Sequence, residues 1–421
     1  MPAINSKSSS TRPFDVVLYG ATGFVGQQTV AYFAQSPAVK ANGLRWAIAG
    51  RNAAKLEQVK RATAGAESAG VIVAAADDAK ALNALAKNSR VVLSTAGPFA
   101  LYGSDLVAAC VQQRTHYVDI TGETPWAASM IAQHHDAALK NSTRIIPFCG
   151  FDSVPSDLGA WVMVQAMQQR FGKPCASVKA VFSLTGGVNG GTLASLFNIM
   201  DAGHAGDMAE LFLLNPGSVK NHDLPPATLA ANTDPSAPHH DAAFNAWLMP
   251  FFMSAINTRV VRRSAALLGS AAGYAPNFQY QEYLRAGSGP VAGAAAAAIS
   301  TGMAISQRAL KLRAVRRLAA ELAPKAGSGP SEARMNGGSF RCDLVAVSSA
   351  GDVLRGRVAD QGDPGNRTTT KMVCEAAMCL VIDADRLPGG LGAGGVLTPA
   401  AALGNVLLGR LRTAGMTWEL D

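Results

Sequence analysis

Charge is scarce in this chain: only 16% of its 421 residues are Asp, Glu, Lys or Arg, and only 6% are aromatic. With 48% hydrophobic residues, so little polarity excludes a solvating, disordered polypeptide and requires well-buried cores. A chain of this length exceeds one small core, so two domains are expected. The six cysteines (Cys110, Cys149, Cys175, Cys342, Cys374 and Cys379) include no C-x-x-C pair. That scatter reads as reduced, buried thiols in a cytoplasmic protein. His134 and His135 read as a solvated helix face and His239 and His240 as loop residues; neither pair has metal-ligand company, so no metal site is expected. The first dozen residues are Ser-rich and lack the apolar core of a secretory signal, which makes residues 1–13 a loose tail. No Leu-rich span is present. The longest low-charge stretch, Gly287 to Ser306, is Ala- and Gly-rich, and alanine contributes little to insertion, so it reads as a buried or interfacial helix. What charge excess exists is positive: 37 Lys and Arg against 29 Asp and Glu, a formal +8. It gathers at Arg259, Arg262 and Arg263, and at Arg308, Lys311, Arg313, Arg316 and Arg317. Neither zinc spacing nor an aromatic-interleaved basic repeat accompanies these clusters, so no nucleic-acid partner is expected. A phosphorylated cofactor, an acidic carrier or an anionic membrane surface fits such patches.

What is present is a strand that empties into glycines. Phe14-Asp-Val-Val-Leu-Tyr19 is followed by Gly20-Ala-Thr22-Gly23-Phe24-Val25-Gly26 and then by a helical pattern. A pyrophosphate needs backbone that it can approach without Cβ atoms, and free N–H groups at a helix N-terminus. The G-x-x-G-x-x-G spacing after a first strand meets both needs. In NAD-binding units an acidic residue about 20 residues further on holds the ribose hydroxyls. Here the second strand ends in Gly50, Arg51 and Asn52, with no carboxylate. A planar guanidinium suits a 2′-phosphate, so NADP(H) is the expected cofactor.

Short β-rich runs alternate with helical stretches through the first third: Val71–Ala75 with Asp77 and Asp78 opening a helix, then Val91–Thr95, His116–Ile120 and Arg144–Phe148. Such alternation predicts a parallel, doubly wound sheet whose ligands sit at the strand carboxyl ends. The loop Thr95-Ala96-Gly97-Pro98 then falls at the nicotinamide end. Beyond about residue 155 the pattern changes. Val178–Leu184 reads as a strand, and Gly186 to Thr192 as a Gly-rich entry to a helix. Asn215 to Asp241 reads as an exposed loop, and Trp247 to Leu268 as partly helical. Phe340–Ser348 and Val353–Val358 form a hairpin about Ala350-Gly-Asp352. A long helix through Lys371 to Val381 and another over Pro399–Ala414 follow.

Gly20 to Gly26, Ala49-Gly-Arg51, Thr95 to Phe99, Tyr117-Val-Asp-Ile-Thr-Gly-Glu123 and Cys149-Gly-Phe-Asp-Ser-Val-Pro-Ser-Asp157 together resemble the saccharopine-dehydrogenase-like oxidoreductases. Gly190 to Ser195, Arg259 to Ser264, Gly362-Asp-Pro-Gly365 with Lys371-Met372, and Leu397 to Ala400 point to the branch called trans-acting enoyl reductases. The resemblance implies an α/β protein: a Rossmann doubly wound parallel sheet over 14–155, an inserted mixed α/β substrate domain over 156–391, and a C-terminal helical segment over 392–421 returning to the Rossmann domain. It also implies an NADPH-dependent reductase of lipid or polyketide-derived substrates. The usual Gly-Leu-Asp-Pro-Gly run of saccharopine-forming enzymes stands here as Gly150-Phe-Asp-Ser-Val154, which argues against an amino-acid substrate.

Hydride transfer needs a positioned nicotinamide and, for most acceptors, a proton source. Tyr117 and Asp119 share one face of the fifth strand and are the candidate catalytic pair, with His116 and Glu123 nearby. Asp152, Ser153, Gly190, Gly191 and Thr192 are candidate substrate contacts, although Asp152, Ser153 and Ser156 also suit a helix cap before Pro155. Expected partners are a small-molecule or carrier-bound acyl substrate, a lipid surface met peripherally, and a second copy of the chain. The alternatives to an enoyl reductase are a saccharopine-type amino-acid oxidoreductase and a non-catalytic NADP-binding protein at a lipid surface. For the lipid contact the sequence offers Trp247, Leu248, Met249, Phe251, Phe252 and Met253 with Arg259, Arg262 and Arg263 beyond them.

Overall fold

The computed structural model describes residues 12–187, 205–322 and 327–421, together with Ser195, Asn198, Met200 and Asp201. Six strands alternate with helices through the first third: β1 (Phe14–Tyr19), β2 (Trp46–Gly50), β3 (Gly70–Val73), β4 (Ser89–Ser94), β5 (His116–Asp119) and β6 (Arg144–Ile146). Val16, Val17, Leu18, Val91, Val92 and Leu93 are all buried, as expected of parallel strands covered by helices on both faces. The spatial order is β3-β2-β1-β4-β5-β6, with a late two-residue strand, β13 (Gly395–Val396), added beyond β6. All pairings described in this sheet are parallel. The strand order reverses direction between β1 and β4, which opens the ligand crevice of a doubly wound sheet.

A second seven-stranded sheet is mixed, in the order β14-β12-β11-β7-β10-β9-β8. Its strands are β7 (Cys175–Thr185), β8 (His239–Asp241), β9 (Ala246–Pro250), β10 (Tyr274–Gly287), β11 (Ser339–Ser348), β12 (Val353–Gln361) and β14 (Thr417–Leu420). β11 and β12 form the expected hairpin, with Val347 opposite Val353, while β10 runs parallel to β7. The Val154–Phe171 helix joins the two sheets. Its buried residues run all round it, from Val154 and Leu158 to Trp161, Val164 and Met167, as in a helix with protein on every side. The Thr369–Ile382 helix packs on β4, β5 and the Phe24–Gln35 helix. It therefore belongs to the first layer, although its sequence position falls within the 156–391 segment. The Pro399–Thr413 helix packs between it and the Val154–Phe171 helix, and the chain ends as β14 in the second sheet.

The partly helical reading of Trp247 to Leu268 holds: Trp247 and Leu248 lie in strand β9, and Ser254–Leu268 is helical. Two local expectations are corrected. The segment read as one exposed loop before Asp241 contains a helix, Pro226–Asn232, and ends in β8, which carries His239 and His240. The second correction concerns the arginines. Arg259, Arg262 and Arg263 are buried. Arg259 donates to the carbonyls of Met208, Ala209 and Glu210 and pairs with Asp234. Arg262 donates to the carbonyls of Leu211 and Asn232, and Arg263 to those of Leu214 and Val396. Three guanidiniums on one helix thus satisfy a layer of irregular backbone that would otherwise be buried unpaired. Leu248, Phe251 and Met253 are core residues as well, while Phe252 is exposed, so the apolar and arginine side chains do not form one continuous surface.

Candidate active site

The crevice begins where β1 ends. Gly20 has φ +84°, a left-handed conformation that glycine adopts without strain. A Cβ there would stand 2.9 Å from the Ala96 amide nitrogen, so the loops after β1 and β4 are in contact. A Cβ on Gly26 would run into the Gly20 carbonyl; its absence lets helix and strand close up. The helix that starts at Phe24 has Gly23 as its N-cap, no capping side chain and no acidic residue in its first turn. Thr22 and Val25 flank these glycines. The free N–H groups and the positive end of the helix dipole are open to an anion, and this cradle fits a pyrophosphate.

At the end of β2, Arg51 is exposed and makes no hydrogen bond or ion pair among the described residues. Asn52 accepts from the Lys55 amide and caps the next helix, leaving Arg51 as the group available to a phosphate. Across the same end, Asp77 is exposed, while Asp78 caps the Ala79–Lys87 helix by accepting from Ala81. Burial, with Asp77 nearby, pushes the Tyr19 phenol up to about 12.

The rest of the crevice rim is built from the loops after β4, β5 and β6. Thr95 ties its amide to the Tyr19 carbonyl and sets its hydroxyl on the same carbonyl, holding Ala96, Gly97 and Pro98 beside Gly20. Glu123 clamps the far side of this loop. Its carboxylate is buried and accepts from the amides of Phe99 at 2.7 Å and Ala100 at 3.0 Å. It also accepts from the Ser195 hydroxyl at 2.8 Å, and a Cβ on Gly97 would lie 3.6 Å from that hydroxyl. Glu123 is the nearby candidate proton donor or substrate anchor of the sequence reading and Ser195 closes the Gly190 to Ser195 motif, but residue type gave no sign that the two side chains meet.

Tyr117 and Asp119 are both fully buried. Asp119 accepts from the amides of Thr121 and Phe148, so one carboxylate oxygen fixes the turns that follow β5 and β6. Burial pushes this carboxyl up to about 7 against those donors. The other oxygen and the Tyr117 hydroxyl lack a hydrogen-bond partner of good geometry. Asp152 differs. It is half-buried, and burial pushes its carboxyl up to about 6. A Cβ on Gly122 would lie 3.6 Å from its Oδ2 and 3.2 Å from Ile256, which places Asp152 over the β5 loop beside an apolar wall. Its carboxylate makes no hydrogen bond or ion pair among the described residues. The capping expectation is corrected here: Ser153 turns to the Asn257 side chain and Ser156 to Glu282, and no side chain caps the Val154–Phe171 helix. Gly190, Gly191 and Thr192 lie outside the described residues.

A segment without a functional reading in the sequence also reaches the cradle. Gly329 lies against the Phe24 ring with no room for a Cβ, and Gly187 packs on Pro330. Asn366 reaches the Gly187 carbonyl, and Arg367 reaches Gln28 on the first helix. Asp363 accepts from the Arg367 amide and orders the turn that carries both. In the sequence, Gly362-Asp-Pro-Gly365 stands out as a motif shared with the trans-acting enoyl reductases.

With this geometry in place, the likenesses to known proteins are specific. Residues 16–146 match the family model of the saccharopine dehydrogenase NADP binding domain, which covers β1 to β6, and NADP(H) is the cofactor of this cradle. The chain is 34% identical over 429 residues, 98% of each chain, to a Mycobacterium tuberculosis protein whose name provisionally assigns it as a trans-acting enoyl reductase. It is 34% identical over 430 residues to the trans-acting enoyl reductase of Mycobacterium leprae, covering 97% of this chain and 98% of that one. In fold it is similar to the saccharopine dehydrogenase (L-Glu forming) of Saccharomyces cerevisiae, with a TM-score of 0.53 and 14% identity over 97% of this chain and 99% of the yeast one. A Rossmann cradle for NADP, a second mixed sheet and relatives that match end to end lead to one conclusion: the chain belongs to the saccharopine-dehydrogenase-like oxidoreductases, in the branch of the trans-acting enoyl reductases.

Proposed function

We propose that this oxidoreductase reduces the carbon–carbon double bond of an enoyl thioester of lipid or polyketide origin, presented free or on an acyl carrier. The observation that carries the reading is the chemistry of the crevice loops. Residues 95–99, 120–124 and 149–153 contain no Lys, Arg or His, while the Asp152 carboxylate, beside Ile256, makes no hydrogen bond or ion pair among the described residues. A substrate bearing several carboxylates, such as saccharopine, needs cations there; an uncharged acyl group does not. The whole-length likeness to trans-acting enoyl reductases supports the same choice.

NADPH, held by the Gly20–Gly26 cradle and Arg51, would supply the hydride equivalent for the β-carbon of the enoyl group. Thr95 and the Glu123 clamp hold the β4 loop in place to orient that end of the cofactor. Asp152 gives its proton to the α-carbon, so with the hydride the π bond is replaced by two C–H bonds, the C–C single bond remains, and the carboxylic acid becomes a carboxylate that solvent reprotonates. A carboxyl raised to about 6 by burial is a competent acid near neutrality. It donates only when protonated, so turnover should fall as pH rises through about 6.

The test is NADPH oxidation by purified protein across a panel of 2-enoyl thioesters of increasing chain length, with 2-oxoglutarate plus lysine, and saccharopine with NADP+ read as NADPH formation, as the amino-acid comparison. Turnover of enoyl thioesters alone is the expected result; turnover of the amino-acid pair alone would overturn it. Asp152→Asn should lower kcat by roughly 10²-fold or more with NADPH affinity unchanged. An unchanged kcat would remove Asp152 as the donor.

A further inference from the structure

The most exposed apolar surface of the molecule lies far along the chain from the crevice loops. The Gly289–Ala309 helix is 21 residues long, enough by length and composition to cross a membrane. Only Gly293, Ala296 and Ser300 are buried, a single stripe one to two turns apart. Gly293 sits directly on Trp247, where a Cβ would meet the indole at 2.6 Å, so the helix lies flat on β9 with its other faces outward. Val291, Ile299 and Ile305 are 82%, 48% and 60% exposed. From Gly289 to Gln307 the helix has no charged side chain. A water-facing helix ordinarily carries charge on its outer face, and contiguous exposed apolar surface of this extent marks a contact site.

The next helix supplies the complement. Arg316 folds back, donates to the carbonyls of Leu310 and Lys311 and pairs with Asp201, capping the first helix and fixing the corner between the two. On Arg313–Leu322, Leu318 and Leu322 are 58% and 78% exposed. Arg308, Lys311, Arg313 and Arg317 are exposed too, and none makes a hydrogen bond or ion pair among the described residues. An uncharged apolar helix thus runs into a corner bearing four free cations and further exposed leucines.

We infer that residues 289–322 form a docking surface for an anionic lipid bilayer, with the first helix lying in the interface plane and the cations among the phosphates. Apolar side chains on one part and Lys and Arg on another are the composition of interfacial helices. A packed inner stripe rules out a free span. A second copy of the chain is a poorer occupant, because a two-fold contact would set each patch against its own equivalent and bring eight like charges together. An acidic carrier protein would pair with the cations but leave Val291, Ile299 and Ile305 uncovered.

The experiment is vesicle flotation of the full-length protein, with phosphatidylcholine vesicles compared with vesicles about one-third phosphatidylglycerol. Binding to the anionic vesicles, weakened by salt, is the expected result. Arg313→Glu with Arg317→Glu should reduce the partition coefficient by at least about tenfold. Val291→Ser with Ile299→Ser and Ile305→Ser should reduce it independently. NADPH titration of each variant, expected to match the unaltered protein, shows that the fold and cradle are retained. Equal retention by neutral and anionic vesicles at low salt, or anionic binding insensitive to both variant sets, overturns the inference. So does a dimer that the serine variant dissociates in the absence of lipid.

Discussion

Arg51 stands where many dinucleotide folds place a carboxylate. At the end of β2 an acidic side chain would accept from ribose hydroxyls and repel a 2′-phosphate, whereas a guanidinium does the reverse. Its neighbour Asn52 is committed to the helix cap, so no second side chain on that turn is placed to replace it. Charge-assisted hydrogen bonds contribute about 1.5–3 kcal/mol, equivalent to roughly 10- to 150-fold in affinity. Arg51→Asp should therefore weaken NADPH binding by that factor and leave NADH nearly unchanged, as read by fluorescence titration of both cofactors. If the unaltered protein binds the two equally, Arg51 has no part in the selectivity. Glu123 is the contrasting case. It is a carboxyl by type, as a proton donor could be, yet its oxygens are already taken by two amides and a hydroxyl, which makes it a positioning residue for the loop after β4.

At the level of elements, the Ser254–Leu268 helix shows what buried charge does here. Its arginines reach into backbone of residues 208–214 and 232–234, and burial lowers Arg262 and Arg263 to about 10, still charged at neutral pH. Arg262→Met would leave the carbonyls of Leu211 and Asn232 unpaired, at about 1–3 kcal/mol for each buried group. The melting temperature should drop clearly while NADPH affinity in the folded protein holds; a variant that melts with the unaltered protein would contradict this role. Sequence alone hid that role because arginine is ordinarily a surface residue, and three in five positions read as a contact patch. β10 was hidden for a related reason. Pro276 near its start and Glu282 at a buried position break an otherwise apolar alternation of Phe278, Tyr280 and Glu282. By contrast, β1, β2 and β4 were legible because strands buried on both faces are nearly continuous apolar runs. The glycines and Arg51 were legible because phosphate binding depends on backbone and charge. Asp152 and Asp119 could not be told apart from residue type, since their difference is exposure set by packing.

Across the whole molecule, carboxyls are sealed into the seams between layers. Asp157 accepts from Ser264 and from the Ala400 amide, joining the Val154–Phe171 helix to the Ser254–Leu268 helix and the Pro399–Thr413 helix. Glu282 on β10 accepts from Ser156, Asn257 and Tyr280, joining the second sheet to two of those helices. Asp119 fixes the turns after β5 and β6. Burial pushes all three up to about 7. Because each folded-state value is raised, each holds its proton more firmly in the native protein than in the unfolded chain. Their contribution to stability is fully present below the unfolded carboxyl range and is lost as pH rises through about 7. Asp15 and Asp241 act oppositely, since arginine and lysine partners lower them despite burial, and they weaken the fold only in acid. Between about pH 5 and about pH 8 the buried carboxyls therefore govern the trend, and the thermal midpoint should fall by several degrees across that interval. Glu282→Gln, which cannot ionise, should be less stable than the unaltered protein at the acid end and show a shallower decline. Circular-dichroism melts of both proteins across the interval decide it: a midpoint that rises with pH, or identical slopes for the two, would mean that these carboxyls are already ionised in the native seams.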